Sequence, residues 1–269
     1  MKRILVALCA LGALGLAAPA AMAAGDLRMA TTTSTDNSGL LKALLPKYEA
    51  KCRCKVRVVA VGTGAALKLG ENGDADVVLV HARKAEDEFV AKGFGVNRRD
   101  VMYNDFILVG PKADPAQVRG MNDVIGAMKK VKATGAAFIS RGDDSGTNKM
   151  ELGYWKAAGI EPRGPAYFAI GQGMGQALTV AGEKGAYTLT DRATYATYKD
   201  RTGLAILVEG DAKMFNPYGV IAVHPKRFPG VNYAGAMDFI EWITSTEAQA
   251  DIAAFRPTGA QLFFPSYKK

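Results

Sequence analysis

The sequence predicts an α/β fold built as two lobes. Three observations carry this. From Leu27 onward, short β-rich runs alternate with stretches of helical periodicity. The chain has 269 residues, enough for two lobes of ordinary size. Two strand-like segments, 103 to 115 and 216 to 225, end in Gly or Pro punctuation and sit where a chain could cross between lobes. If both cross, 24–109 and 219–269 form one lobe and 110–218 forms the other.

The elements follow in order. Leu27 to Thr31 reads as a strand, and Leu40, Leu41, Leu44, Leu45 and Tyr48 then share one helical face. Residues 55–61, KVRVVAV, alternate as a strand does, and a short helical stretch begins at Ala65. ADVVLV (75–80) is a continuous apolar run, the pattern of a strand buried on both faces, and a helix over 84–92 follows. DFILVG (105–110) is another strand, stopped at Pro111. Helices are expected near 122–133, 146–158, 174–181, 192–198, 234–244 and 246–255, with short strands between them.

Composition narrows the function classes. The chain is 49% hydrophobic and 22% charged, ordinary globular usage, so disorder is excluded. The net charge of +8 suits either a solubilising surface or the attraction of anions. No Lys/Arg run with interleaved aromatics points to nucleic acid. Lys2 and Arg3, an apolar stretch and Ala21-Met22-Ala23 describe a secretory leader over 1–23, cleaved before Ala24, and so an exported protein, which the resemblance given below would place in the periplasm. No later stretch is long enough to cross a bilayer. Beyond the leader, Cys52 and Cys54 either bridge across one residue or stay free thiols, and an oxidising compartment favours the bridge. Two histidines, His81 and His224, are too few for a metal centre with them, and His81 is expected to pack at a strand end.

Three stretches carry chemistry. In TTTSTDNSGLL (31–41), five consecutive hydroxyl residues lie between a strand and a helix. Ordinary N-capping needs one. The surplus, beside unpaired helix-start amides, suits an anion. VGTGAAL (61–67) repeats that arrangement, with Thr63 between two glycines that permit close backbone approach. SRGDDSGTNK (140–149) adds the planar donor fork of Arg141 and the hydroxyls of Ser145 and Thr147 at a helix start. Asp143 and Asp144 sit inside it. Asp143 is expected to hold the Arg141 fork, and Asp144 to benefit from the helix N-terminus. GQGMGQAL (171–178) and YTLTDR (187–192), with Thr188, are lesser candidates of the same kind. Neither a G-x-S-x-G elbow nor a GxxxxGK[ST] loop is present, no histidine lies near Ser34 or Ser145 in sequence, and no base is offered beyond Asp143 and Asp144, so a secreted hydrolase is disfavoured.

Taken together, the hydroxyl loop ATTTST, VGTGAAL, ADVVLVHARKAEDEFVAKG, VMYNDFILVGP, SRGDDSGTNKMELGYW, GQGMGQAL and YTLTDRATY resemble the periplasmic tungstate-binding proteins of ABC transporters, over roughly Leu27 to Phe255. The resemblance implies a two-lobed periplasmic binding protein fold of type II. Each lobe would be a mixed sheet flanked by helices, with the ligand in the hinge cleft. It implies a monomeric carrier without enzymatic activity, cofactor or resident metal. Its ligand would be tungstate, with molybdate as a near isostere, held by Thr32, Thr33, Ser34, Thr63, Arg141, Ser145 and Thr147. Its partners would be a membrane permease and its ATPase. The Arg141-to-Thr147 pattern also resembles phosphate-binding proteins, so a phosphate or sulfate carrier of the same fold is the alternative.

Overall fold

The computed structural model describes residues 25–267, and the expected leader over 1–23 lies outside them. In chain order the elements are β1 (Leu27–Thr32), α1 (Thr33–Asn37), α2 (Leu40–Cys52), β2 (Val56–Val61), α3 (Thr63–Asn72), β3 (Val77–Val80), α4 (Arg83–Ala91) and β4 (Gly95–Gly110). There follow α5 (Val124–Ala133), β5 (Phe138–Ser140), α6 (Gly146–Ala157), β6 (Tyr167–Ala169), α7 (Met174–Lys184), β7 (Tyr187–Asp191) and α8 (Arg192–Thr202). The chain ends with β8 (Ala205–Val208), β9 (Phe215–Val223), α9 (Tyr233–Ile243), α10 (Thr246–Ala254) and β10 (Phe264–Pro265).

The strands run in the order β2-β1-β3-β9-β4-β7-β5-β6, with β8 and β10 also paired to β4. β4 is the shared element. Its residues Gly95 to Asp105 pair antiparallel with β9, and from Phe106 onward it pairs with β7 and β8. One long strand therefore belongs to two mixed sheets. In the first, β2, β1 and β3 are parallel and β9 is antiparallel to β3. In the second, β6, β5 and β7 are parallel.

Each sheet is covered on both faces, which explains the continuous apolar runs. Along β4, Phe106 and Leu108 face the core beneath α5 and α6, while Ile107 and Val109 face the core beneath α7. Along β3, Val77 and Leu79 join the core of α2, α9 and α10, while Val78 and Val80 join that of α3 and α4. Successive side chains point to opposite faces, so neither face can be polar.

Two elements differ from the sequence reading. The strand expected from Asp105 begins at Gly95. Its first half carries Asn97, Arg98, Arg99 and Asp100 and two register shifts against β9, which erase the period-two signal. The hydroxyl run expected as open loop contains a one-turn helix, α1, capped by Thr32, whose Oγ1 accepts from Thr35 N at 3.2 Å. Cys52 and Cys54 are disulfide-bonded at the end of α2. No helix among the described residues is long and apolar enough to cross a membrane.

In the first half of β4, on the β9 side, the buried Glu86 of α4 accepts from Arg98 Nε at 2.8 Å. This ion pair lies directly on Gly219 of β9. A Cβ there would collide with Glu86 Oε2 and come within 2.8 Å of Arg98 Nη2. The Gly219→Ala variant is expected to lose about 1–3 kcal/mol of stability by overpacking, measured by urea unfolding.

Candidate functional site

The three hydroxyl- and glycine-rich stretches meet in space. β1 ends at α1, β2 ends at α3, and β5 ends at the loop before α6, so each lies at a strand's carboxyl end, where open α/β sheets place ligands. Their meeting point is Arg141, only 2% exposed. Its Nη1 donates to Ser34 Oγ and its Nη2 to Thr33 Oγ1, both at 2.9 Å across the two halves of the fold. Nη2 also donates to Asp143 Oδ2 at 2.5 Å. Arg141 Nε, equally buried, has no hydrogen-bond partner among the described residues.

A guanidinium only donates, so Thr33 and Ser34 act as acceptors toward it and each keeps its O–H hydrogen to give elsewhere. The same holds for Thr63, whose Oγ1 accepts from Gly146 N at 2.9 Å. It holds for Ser145 too, which caps α6 by accepting from Asn148 N at 3.1 Å. Thr147 Oγ1 is buried with no partner at all among the described residues. Thr33, Ser34, Thr63, Ser145, Thr147 and Arg141 thus share one feature: buried or half-buried donors left over after every internal bond is made.

Thr32 is placed beside this group but its hydroxyl is spent. Asn216 Nδ2 donates to Asn104 Oδ1 at 2.7 Å, which orients Asn216 Oδ1 toward His81 Nδ1 at 2.9 Å as an acceptor. His81 Nδ1 therefore carries the ring proton, and His81 Nε2 accepts from Thr32 Oγ1 at 3.1 Å. Thr35 then donates to Thr32 at 2.7 Å. Burial is the main reason His81 stays neutral: it brings the ring down to about 4, aided by the Arg141 charge and opposed by the Asn216 contact. The sequence reading foresaw only packing for His81, because Asn216 is 135 positions away along the chain. Thr188 is likewise spent, donating to Ile139 O at 2.8 Å.

The two acids separate cleanly. Asp143 accepts from Arg141 at Oδ2 and from Ser145 N at Oδ1, the latter at 3.2 Å, so both oxygens are turned to donors of its own loop. Asp144 is largely exposed, and its carboxylate pairs with Lys149. It directly precedes Ser145, the N-cap of α6, as the sequence implies, and its carboxylate is paired with a lysine side chain in the first turn of that helix. Its backbone carbonyl accepts from Gly64 N at 3.4 Å, across the two halves. The glycines of VGTGA are needed for this approach: a Cβ on Gly62 would lie 2.7 Å from the Asp143 carbonyl. The α7 start also reaches the site, since a Cβ on Gly173 would lie 3.4 Å from Thr33 Oγ1. The N-terminal ends of α3, α6 and α7 therefore bring positive dipole ends to the same place.

A further buried acid, Asp191, lies close enough for its charge to interact with that of Arg141, and it accepts from Thr194 N and Thr194 Oγ1 at 2.8 and 2.7 Å. Burial raises its pKa. Its only sequence signal was the strand-to-helix turn YTLTDR. Among the described residues no group of three His, Cys, Asp or Glu side chains is placed to hold a metal ion.

The neutral His81 makes folding pH-dependent. An unfolded ring takes up a proton near 6.5 and the folded ring only near 4, so between these values the unfolded chain holds the extra proton and acid favours it. From pH 6.5 down to 4, wild type is expected to lose about 3 kcal/mol more stability than His81→Gln, measured by denaturant unfolding at each pH.

Comparison with known proteins agrees with this architecture. A family model described as a PBP superfamily domain matches residues 17–247. The tungstate-binding protein TupA of Peptoclostridium acidaminophilum is 50% identical over 251 residues, covering 92% of this chain and 88% of the relative. A crystal structure described as the tungstate ABC transporter from Geobacter sulfurreducens is 56% identical, with a TM-score of 0.79 over 86% of this chain and 98% of that one. The tungstate-binding protein TupA from Desulfovibrio alaskensis G20 is 48% identical, with a TM-score of 0.75 over 91% of this chain and 100% of that one. The chain belongs to the PBP superfamily and, within it, to the family of the tungstate-binding proteins.

Proposed function

We propose that this protein captures tungstate, and its near isostere molybdate, and delivers it from the periplasm to the permease and ATPase of an ABC importer as a monomeric carrier. Residues 24–109 with 219–269 act as one lobe and 110–218 as the other, closing over the anion. The observation that carries the reading is the pair of buried, unpartnered donors, Arg141 Nε and Thr147 Oγ1, set among hydroxyls that accept from Arg141 and keep their hydrogens free to give. Buried donors left without partners are costly, and an acceptor-only ligand between the lobes relieves that cost.

Tungstate fits because it is a tetrahedral dianion, unprotonated near neutral pH, that only accepts hydrogen bonds. Phosphate still carries a proton near pH 7 and gains from an acceptor. Asp143 is the nearest acid in sequence to Arg141, and both its oxygens are engaged by Arg141 and Ser145 N. The ligands in this scheme are Thr33, Ser34, Thr63, Arg141, Ser145 and Thr147. Thr32 shapes the α1 turn and contributes main chain. The names of the relatives support the choice of anion, and a carrier role needs no catalytic base.

Calorimetry with tungstate, molybdate, sulfate and phosphate tests this. The first two are expected to bind, with tungstate raising the thermal midpoint because it binds only the folded state. Tight phosphate binding without a tungstate response overturns the reading. Arg141→Ala removes the single formal positive charge on the ligand and is expected to cost about 10- to 100-fold in affinity. Asp143→Asn loosens the guanidinium and is expected to weaken binding; stronger binding would mean that Asp143 repels the anion directly.

A further inference from the structure

Glu151 is a buried acid that the anion site does not itself employ. It lies on α6 and is 2% exposed. Among the described residues no basic side chain pairs with it. Four neutral donors converge on its carboxylate instead. Trp155 Nε1 and the Tyr167 hydroxyl donate to Oε1 at 2.7 and 2.9 Å. Ser140 Oγ and Asn148 Nδ2 donate to Oε2 at 2.5 and 3.2 Å. Packing alone would be served as well by an apolar side chain at lower desolvation cost.

The Oε2 partners bracket the anion loop. Ser140 immediately precedes Arg141. Asn148 turns its other side-chain atom, Oδ1, to accept from Asp144 N at 3.2 Å, and its main-chain N–H goes to Ser145 Oγ. Asp144 holds a left-handed φ of 57°, a conformation that aspartate tolerates better than most residues but that still gains from being held, here by the bond to Asn148 Oδ1. One carboxylate thus grips both ends of the segment that carries Arg141, Ser145 and Thr147.

We infer that Glu151 is a positioning residue for the oxyanion site, holding residues 140–148 in the shape that aims Arg141 Nε and Thr147 Oγ1 at the ligand. This rests on the reading of that loop as an anion seat. The charge matters because every partner donates. In Glu151→Gln the indole N–H can only donate, so the new amide oxygen stays with Trp155 and the new NH2 faces Ser140 and Asn148. Asn148 Nδ2 then loses its acceptor on residue 151 and faces another NH2, with only Ser140 Oγ left to it at 3.1 Å; either the amide shifts or it flips, and both weaken the bond from Asp144 N to Asn148 Oδ1. The disturbance reaches the loop without touching any ligand-binding side chain.

The test compares wild type, Glu151→Gln and Asn148→Ala by calorimetry with sodium tungstate, and by hydrogen exchange of the anion-free proteins. Both variants are expected to exchange faster in the 140–148 peptide than wild type, with β1 and α3 unchanged, and to bind tungstate at least about 10-fold more weakly. Asn148→Ala keeps the buried carboxylate, so it decides the matter if Glu151→Gln does not fold. Wild-type tungstate affinity and unchanged 140–148 exchange in the folded variants, whatever their melting temperature, overturn the positioning role alone. A wild type that binds none of tungstate, molybdate, sulfate and phosphate overturns the anion reading instead.

Discussion

The contact on which the rest depends is the Arg141 guanidinium, buried between two halves of the molecule. It donates to Thr33 and Ser34 on one side and to Asp143 on the other. A buried cation needs compensation. Here the direct compensation is a single carboxylate from its own loop, plus two hydroxyls that only lend their lone pairs. The pairing leaves Nε unspent. The site is therefore held in shape by the residue that also has donor capacity to spare, so binding an acceptor and holding the halves together draw on the same group.

Around this contact the polar atoms sort by what each has left. Thr63 and Ser145 give lone pairs to backbone amides and retain their hydrogens. Thr32 gives its hydrogen to a neutral His81 and drops out of the donor set. Asp143, Asp144 and Asp191 are each engaged by other groups: a guanidinium and an amide, a lysine, and a threonine. Each acid of the loop is thus turned onto a donor of the protein itself. The helix starts of α3, α6 and α7 add partial positive charge without titratable groups.

The fold makes this convergence possible through β4, which passes from one sheet to the other between Asp105 and Phe106. Strand ends from both sheets then face each other across the crossing. Two glycines of the α3 loop permit backbone contact there, where any Cβ would meet the Asp143 carbonyl or the Asp144 carboxylate. Close approach of main chain, rather than long side chains, brings the hydroxyls within reach of Arg141.

The sequence by itself determined the fold class and most of the elements, because burial on both sheet faces writes itself as runs such as DFILVG and ADVVLV, and helix starts write themselves as Ser, Thr and Gly. It also singled out the loops that the structure brings together around Arg141, since five hydroxyl residues exceed what capping needs. The first half of β4 was not legible, because register shifts and a charged Asn97-to-Asp100 segment remove the alternation. The use of each hydroxyl was decided only by tertiary structure. Thr32 and Ser34 look alike in sequence, and they part ways because His81, fixed by Asn216, faces one and Arg141 faces the other. Glu151 was invisible for the same reason. Its four donors come from β5, α6 and β6, and only folding gathers them on one carboxylate.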